Sequence, residues 1–155
     1  MVDLIVDANV LVALLDGADT WHRTAVALYD ALQEAGARML FLDCVINETI
    51  GVLSRRVREQ GRTSEFAELL SRLNALIPET RITWVYPEVP RLYADVLDLV
   101  RSSDGELNFH DALIALACRQ LSVRYLASFD RDFDQVPWLE RVGKPADLQG
   151  RREES

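Results

Sequence analysis

Four acidic residues stand out by position: Asp7, Asp111 and Asp130 at the ends of apolar, structure-forming segments, and Glu48 one turn into a helix that follows a strand. Ionised carboxylates crowded at one place raise one another's pKa, and a cation relieves that cost. Magnesium takes oxygen ligands in octahedral geometry and keeps several waters. An open site lined by such acids therefore suits phosphoryl substrates, because its metals bind phosphate oxygens and acidify a water. Each acid also has a plainer reading. Asp7 could cap the helix that starts after it, and Asp111 lies three residues after Asn108, as the acidic half of a capping box would. Glu48 falls off the apolar stripe of its own helix and by periodicity is a solvated side chain. Asp130 could be a turn former. Asp104, Glu106, Asp132 and Asp134 lie beside the last two acids and could replace or join them.

The elements that must position these groups follow from apolar periodicity. Val2 to Asp7 reads as a buried strand and Ala8 to Asp16 as a helix ended by Gly17. Thr20 can cap a helix reaching Ala35, with Gly36 as its stop. Met39 to Leu42 is a strand, and Asp43 caps a helix whose stripe is Ile46, Ile50, Leu53 and Val57, broken at Gly61. Thr63 opens a helix to Ile77. Ile82 to Val85 is a strand, and the helix after Pro87 reaches Arg101. Phe109 to Leu121 is apolar nearly all round, as a buried helix is. Tyr125 to Ala127 is a fourth strand. Alternating strands and helices predict an α/β fold with a mostly parallel sheet, whose ligands bind beyond the carboxyl ends of the strands. Asp7 and Asp130 both fall at that rim, and Asp111 opens the buried helix beside it.

The chain of 155 residues predicts one domain over 1–145 and a polar, fraying tail over 146–155. No apolar run is long enough to span a bilayer, and with no room for a leader before the first strand the expected location is cytoplasmic. Cys44 and Cys118 sit in apolar stretches and read as free buried thiols; with His22 and His110 they match no zinc spacing. The net charge of −8 is unlike most nucleic-acid binders, although a metal-neutralised acidic pocket would account for part of it. Lys144 is the only lysine, and arginines supply every other positive side chain. Among them Arg55 and Arg56, with Arg58 and Arg62, form a basic cluster that could touch an RNA backbone or merely complement a helix C-terminus.

The quoted segments resemble the PIN-domain ribonucleases over nearly the whole chain. Val6-Asp7-Ala8-Asn9-Val10-Leu11 is similar to the family's first motif, and Trp21-His22 with the helix after it also looks alike. Ile46-Asn47-Glu48-Thr49 carries the second acid, and Phe109-His110-Asp111-Ala112-Leu113-Ile114-Ala115 the third. Ala127-Ser128-Phe129-Asp130-Arg131-Asp132-Phe133 resembles the fourth motif. The resemblance implies a three-layer α/β sandwich with four to five strands. It also implies an endoribonuclease whose magnesium or manganese is held by Asp7, Glu48, Asp111 and Asp130, leaving 5′-phosphate and 3′-hydroxyl ends. Asn9 and Ser128 would be supporting groups or phosphate contacts, with Asp132 an alternative to Asp130. A chain of this size further resembles the toxin of a toxin–antitoxin pair, implying a cognate antitoxin and a homodimer.

Rival readings meet specific obstacles. An aspartyl-phosphate enzyme of the haloacid-dehalogenase type needs a second Asp two residues after Asp7, where this chain has Asn9, and a core lysine, which it lacks. No Gly-x-x-x-x-Gly-Lys phosphate loop is present. An inert binding module of the same fold, or a nuclease acting on DNA, stays open.

Overall fold

The computed structural model describes residues 2–149. Five strands form one parallel sheet in the order β3-β2-β1-β4-β5: β1 Asp3–Val6, β2 Arg38–Leu42, β3 Ile82–Thr83, β4 Tyr125–Ala127 and β5 Glu140–Val142. Six helices flank it: α1 Ala8–Leu15, α2 His22–Glu34, α3 Asp43–Glu59, α4 Phe66–Leu76, α5 Val89–Ser102 and α6 Phe109–Gln120. This is the expected three-layer α/β sandwich, with a fifth strand that apolar patterning left unread.

The centre of the sheet is its most apolar strand. Leu4, Ile5 and Val6 are buried, and β1 is paired on both sides, Ile5 with Leu40 and with Leu126. Strands covered on both faces need such runs. The chain builds outward from β1 through β2 to β3, then returns to the other side of β1 as β4. The reversal creates a crevice beyond the carboxyl ends of β1 and β4, the place where open α/β sheets bind ligands. Helix α6 is buried over seven consecutive residues, Ala112 through Cys118. Its start is thereby fixed against the sheet. Gly36 and Gly61 end α2 and α3 at φ of +67° and +66°, a conformation costly to a residue with a Cβ.

Several local expectations are corrected. Thr20 does not cap α2; the Asp19 carboxylate accepts the Trp21 N–H at 2.7 Å and shapes that turn instead. Asp43 opens α3 rather than preceding it, and its carboxylate accepts the N–H groups of Cys44, Val85 and Tyr86, each at 2.9 Å. It clips the segment after β3, which is why that strand ends at Thr83 and turns into a 3-10 segment, Tyr86–Glu88. The buried face of α3 comprises Cys44, Val45, Thr49, Leu53 and Val57, whereas Ile50 is 37% exposed. Thr49 can be buried because its hydroxyl donates to the Val45 carbonyl at 2.8 Å. Thr63 opens a 3-10 turn, Thr63–Glu65, ahead of α4. The tail begins with a folded 3-10 turn, Pro145–Leu148, where the Asp147 carboxylate accepts the N–H groups of Gly143 and Lys144; residues 150–155 lie outside the described ones. Cys44 and Cys118 are free and buried, as expected.

Candidate active site

Asp7 follows β1 directly, its N–H donating to the Ala127 carbonyl of β4 at 2.9 Å. Its carboxylate is buried in the crevice between the two strands. Oδ1 accepts the Ala8 N–H at 2.7 Å, capping α1. Oδ2 accepts the Ser128 hydroxyl at 2.6 Å and the Asn9 amide at 3.2 Å. Burial pushes this carboxyl up to about 7. The Ser128 and Ala8 hydrogen bonds oppose that rise, and the charges of Glu48 and Asp111 add to it. Asn9 ties the crevice together: its Nδ2 also donates to Ser128 Oγ at 3.1 Å, and its Oδ1 accepts the Phe129 N–H at 3.1 Å.

Asp111 forms the expected capping box with Asn108, its Oδ2 accepting the Asn108 N–H at 3.1 Å. Burial pushes Asp111 up to about 6, and the charges of Asp130, Glu48 and Asp132 push the same way. Asp130 lies on the far wall; its N–H donates to Ser128 Oγ, and its Oδ1 accepts the Asp132 N–H at 2.8 Å. The plain and functional readings of these acids are therefore compatible. Backbone amides grip one oxygen of Asp111 and one of Asp130. Glu48, which periodicity alone would leave solvated, is half-buried and lines a groove with Asn9.

Of the remaining acids, Asp134, Glu106 and Asp104 separate from this group, whereas Asp132 stays beside Asp130 and Asp111. Arg141 holds Asp134 through two hydrogen bonds, and Glu106 accepts from Gln135 at 3.1 Å. Asp104 is exposed in a left-handed turn. Asp132 is exposed, and the charge of Asp130 raises its carboxyl. His22 donates from Nδ1 to the Ala13 carbonyl at 2.7 Å. His110 meets the Tyr86 hydroxyl at 3.3 Å, and that hydroxyl accepts from Asn47 at 2.8 Å.

The basic cluster on α3 divides. Arg62 clamps buried Asp16, and Arg58 donates to the Ser54 carbonyl. Arg56 pairs with Asp19. Arg55 makes no hydrogen bond or ion pair among the described residues and, with Glu48, Asn9, Trp21 and Phe129, lines a groove of about 340 Å³ beside the acids. Phe129 escaped attention in the sequence because it looked like filler between two motif residues, Ser128 and Asp130. It stacks on Trp21 with ring centroids 5.0 Å apart.

The donor set is that of a hard cation: carboxylate oxygens only, two of them in carboxyls raised by burial and by mutual charge. Among the described residues no three His, Cys, Asp or Glu already close round one point.

The PIN domain family model matches residues 4–139. The fold is shared with the VapC20 toxin of Mycobacterium tuberculosis, a Sarcin-Ricin loop cleaving toxin, at TM-score 0.64 and 25% identity over 88% of this chain and 97% of that one. It is shared with VapBC2 of Rickettsia felis, bound to a promoter DNA fragment, at TM-score 0.65 and 13% identity over 90% and 97%. A local match of 28% identity over 104 residues links it to the phenazine biosynthesis-like domain-containing protein of Rattus norvegicus. It covers 60% of this chain, which spans only 36% of that relative's length.

Proposed function

The chain belongs to the PIN-domain family and carries that family's nuclease fold, and on that premise we propose that it is a divalent-metal-dependent endoribonuclease, the toxin of a toxin–antitoxin pair. The single observation that carries the reading is the buried Asp7 carboxylate at the carboxyl end of β1, held only by neutral donors and without a cationic partner among the described residues. An isolated buried charge is costly, and a cation at the rim offsets that cost. Likeness to a loop-cleaving toxin supports structured RNA as the substrate, and likeness to a toxin–antitoxin fold supports an antitoxin as the partner. The matched segment supports one nuclease domain over 1–145, which would act as a homodimer in the cytoplasm.

Asp7, Glu48, Asp111 and Asp130 would hold magnesium or manganese. Bound there, the ion would acidify the attacking water and neutralise charge on the scissile phosphate. Ser128 and Asn9 keep Asp7 oriented, and the Ala8 and Asn108 backbone amides keep Asp7 and Asp111 from swinging away. Asp130, with its backbone and carboxylate both tied into the Ser128 turn, is favoured over exposed Asp132 as the fourth ligand. The test is cleavage of a structured RNA pool by purified protein with manganese, with magnesium and with chelator, beside Asp7→Asn. Metal-dependent cutting lost in the variant is expected. Cutting that persists in the variant would remove Asp7 from the chemistry, and absence of both cutting and calorimetric metal binding would leave an inert module.

A further inference from the structure

Trp21 is unusual for a large aromatic ring. It is stacked on Phe129, yet 52% of it remains exposed. A ring placed to fill a core is covered, whereas one placed to take a flat partner keeps surface open. Its position is not left to chance. Asp19 accepts the Trp21 N–H and also pairs with Arg56, anchoring the start of α2 to α3. Phe129, beneath it, donates its N–H to Asn9 Oδ1, and Asn9 in turn donates to Asp7 Oδ2. The aromatic pair is thus held in register with the buried acid through one side chain.

The same groove supplies what a nucleotide needs besides a stacking face. Its lining joins Val12 and Val52 to Glu48, the Asp19–Arg56 pair and Arg55, and Arg55 makes no hydrogen bond or ion pair among the described residues. A volume of about 340 Å³ falls within the ~300–1,000 Å³ of small-ligand sites. Aromatic faces stack any base, and a guanidinium grips a phosphate in two places. Stacking needs a base that is out of the duplex, and single-stranded loops offer such bases.

We propose that the Trp21–Phe129 stack is a base platform: an unpaired nucleobase next to the scissile phosphate lies on Trp21, and a neighbouring phosphate is held by Arg55. The assignment rests on the ribonuclease reading above and specifies its substrate as an RNA loop or single strand with one base displaced toward α2. Trp21 and Arg55 are positioning residues in this scheme; the acids do the chemistry.

The test uses the full chain as wild type, Trp21→Phe and Trp21→Ala, on an RNA hairpin that the wild type cuts, and on the same hairpin with one loop nucleotide at a time made abasic. Trp21→Ala is expected to raise KM roughly tenfold with the loss falling on KM rather than kcat, and Trp21→Phe to restore most of it. At one loop position the abasic change should cost the wild type a similar factor and cost Trp21→Ala nothing further. A KM untouched by Trp21→Ala, or losses that add in full at every position, would overturn the platform and return the stack to a protein-contacting role. Anisotropy binding of the same labelled hairpins with calcium replacing magnesium makes the comparison without turnover. The platform is thereby judged even if cutting fails, an outcome that would count against the nuclease reading alone.

Discussion

Asp7 and Asp16 cap the two ends of one helix, α1, and both are nearly inaccessible, at 5% and 2% exposure. Their environments are opposite. Asp16 is clamped by the Arg62 guanidinium at 2.7 and 3.2 Å, which pulls its carboxyl below the ordinary value. Asp7 has neutral donors around it and other acids beyond, and its carboxyl is raised to about 7. The protein supplies a cation at one end of the helix and, among the described residues, only neutral donors at the other. Burial of a carboxylate thus says little about function on its own; the sign of the nearest charge decides.

The sharpest way to break this comparison is to neutralise each acid in turn. Asp7→Asn is expected to lower RNA cleavage by more than the roughly 10–100-fold typical of a supporting group, with the fold intact by circular dichroism. Asp16→Asn should leave cleavage nearly unchanged and destabilise the protein by about 1–3 kcal/mol, because Arg62 loses its charged acceptor. Equal losses of activity in the two variants would mean that the two ends of α1 do not differ in the way their charges indicate. Ser128→Ala tests the grip on Asp7 and should cost roughly 10–100-fold in cleavage. A variant with wild-type rates would make the 2.6 Å hydrogen bond incidental.

The two acids also predict opposite pH dependences. A carboxyl whose folded-state pKa is raised binds its proton more tightly when folded. Its contribution is fully present below the unfolded value of 3.8 and is lost as pH rises through the folded value, for Asp7 about 7. Asp111, raised to about 6, acts in the same direction. Asp16, lowered, stabilises above its unfolded value and loses that contribution as pH falls. Metal-free protein should therefore lose stability, on the order of a few kcal/mol, between about pH 4 and 7. Magnesium should restore part of it, and Asp7→Asn should flatten the slope. Thermal melts with chelator across that range would check this, and a metal-free melting temperature that climbs steadily to pH 8 would contradict it.

The motifs and element order were legible in the sequence because they rest on local pattern: an acid after an apolar run, Asn108 three before Asp111, an all-apolar helix. The fifth strand was not, since Glu140-Arg141-Val142 carries no run of apolar residues and becomes a strand through its pairing with β4. The role of Asp43 was missed for a related reason. Its type suggested a cap, but its partners Val85 and Tyr86 lie 42 and 43 residues away and meet it only once β2 and β3 are paired. Periodicity alone would leave Glu48 solvated, because it draws the stripe on α3 through Ile50, which is 37% exposed, rather than through Thr49, which a hydroxyl-to-carbonyl bond lets inside. The division of the arginine cluster was equally invisible, since Arg55 and Arg62 differ only in what lies across from them.

That last contrast yields the finest test. Arg62 lies against buried Asp16 and also reaches Glu65, so Arg62→Ala should lower the melting temperature without altering the salt dependence of RNA binding. Arg55 has no such partner among the described residues and faces the groove. Arg55→Ala should leave the melting temperature within experimental spread and reduce the slope of log affinity against log salt by about 1, the signature of one lost phosphate contact. Anisotropy titrations of a labelled RNA hairpin at several salt concentrations, run beside thermal melts, measure both quantities. A slope unchanged by Arg55→Ala would make that side chain a solvated complement to the C-terminal end of α3, and a slope reduced by Arg62→Ala would mean that the Asp16 clamp opens when RNA arrives.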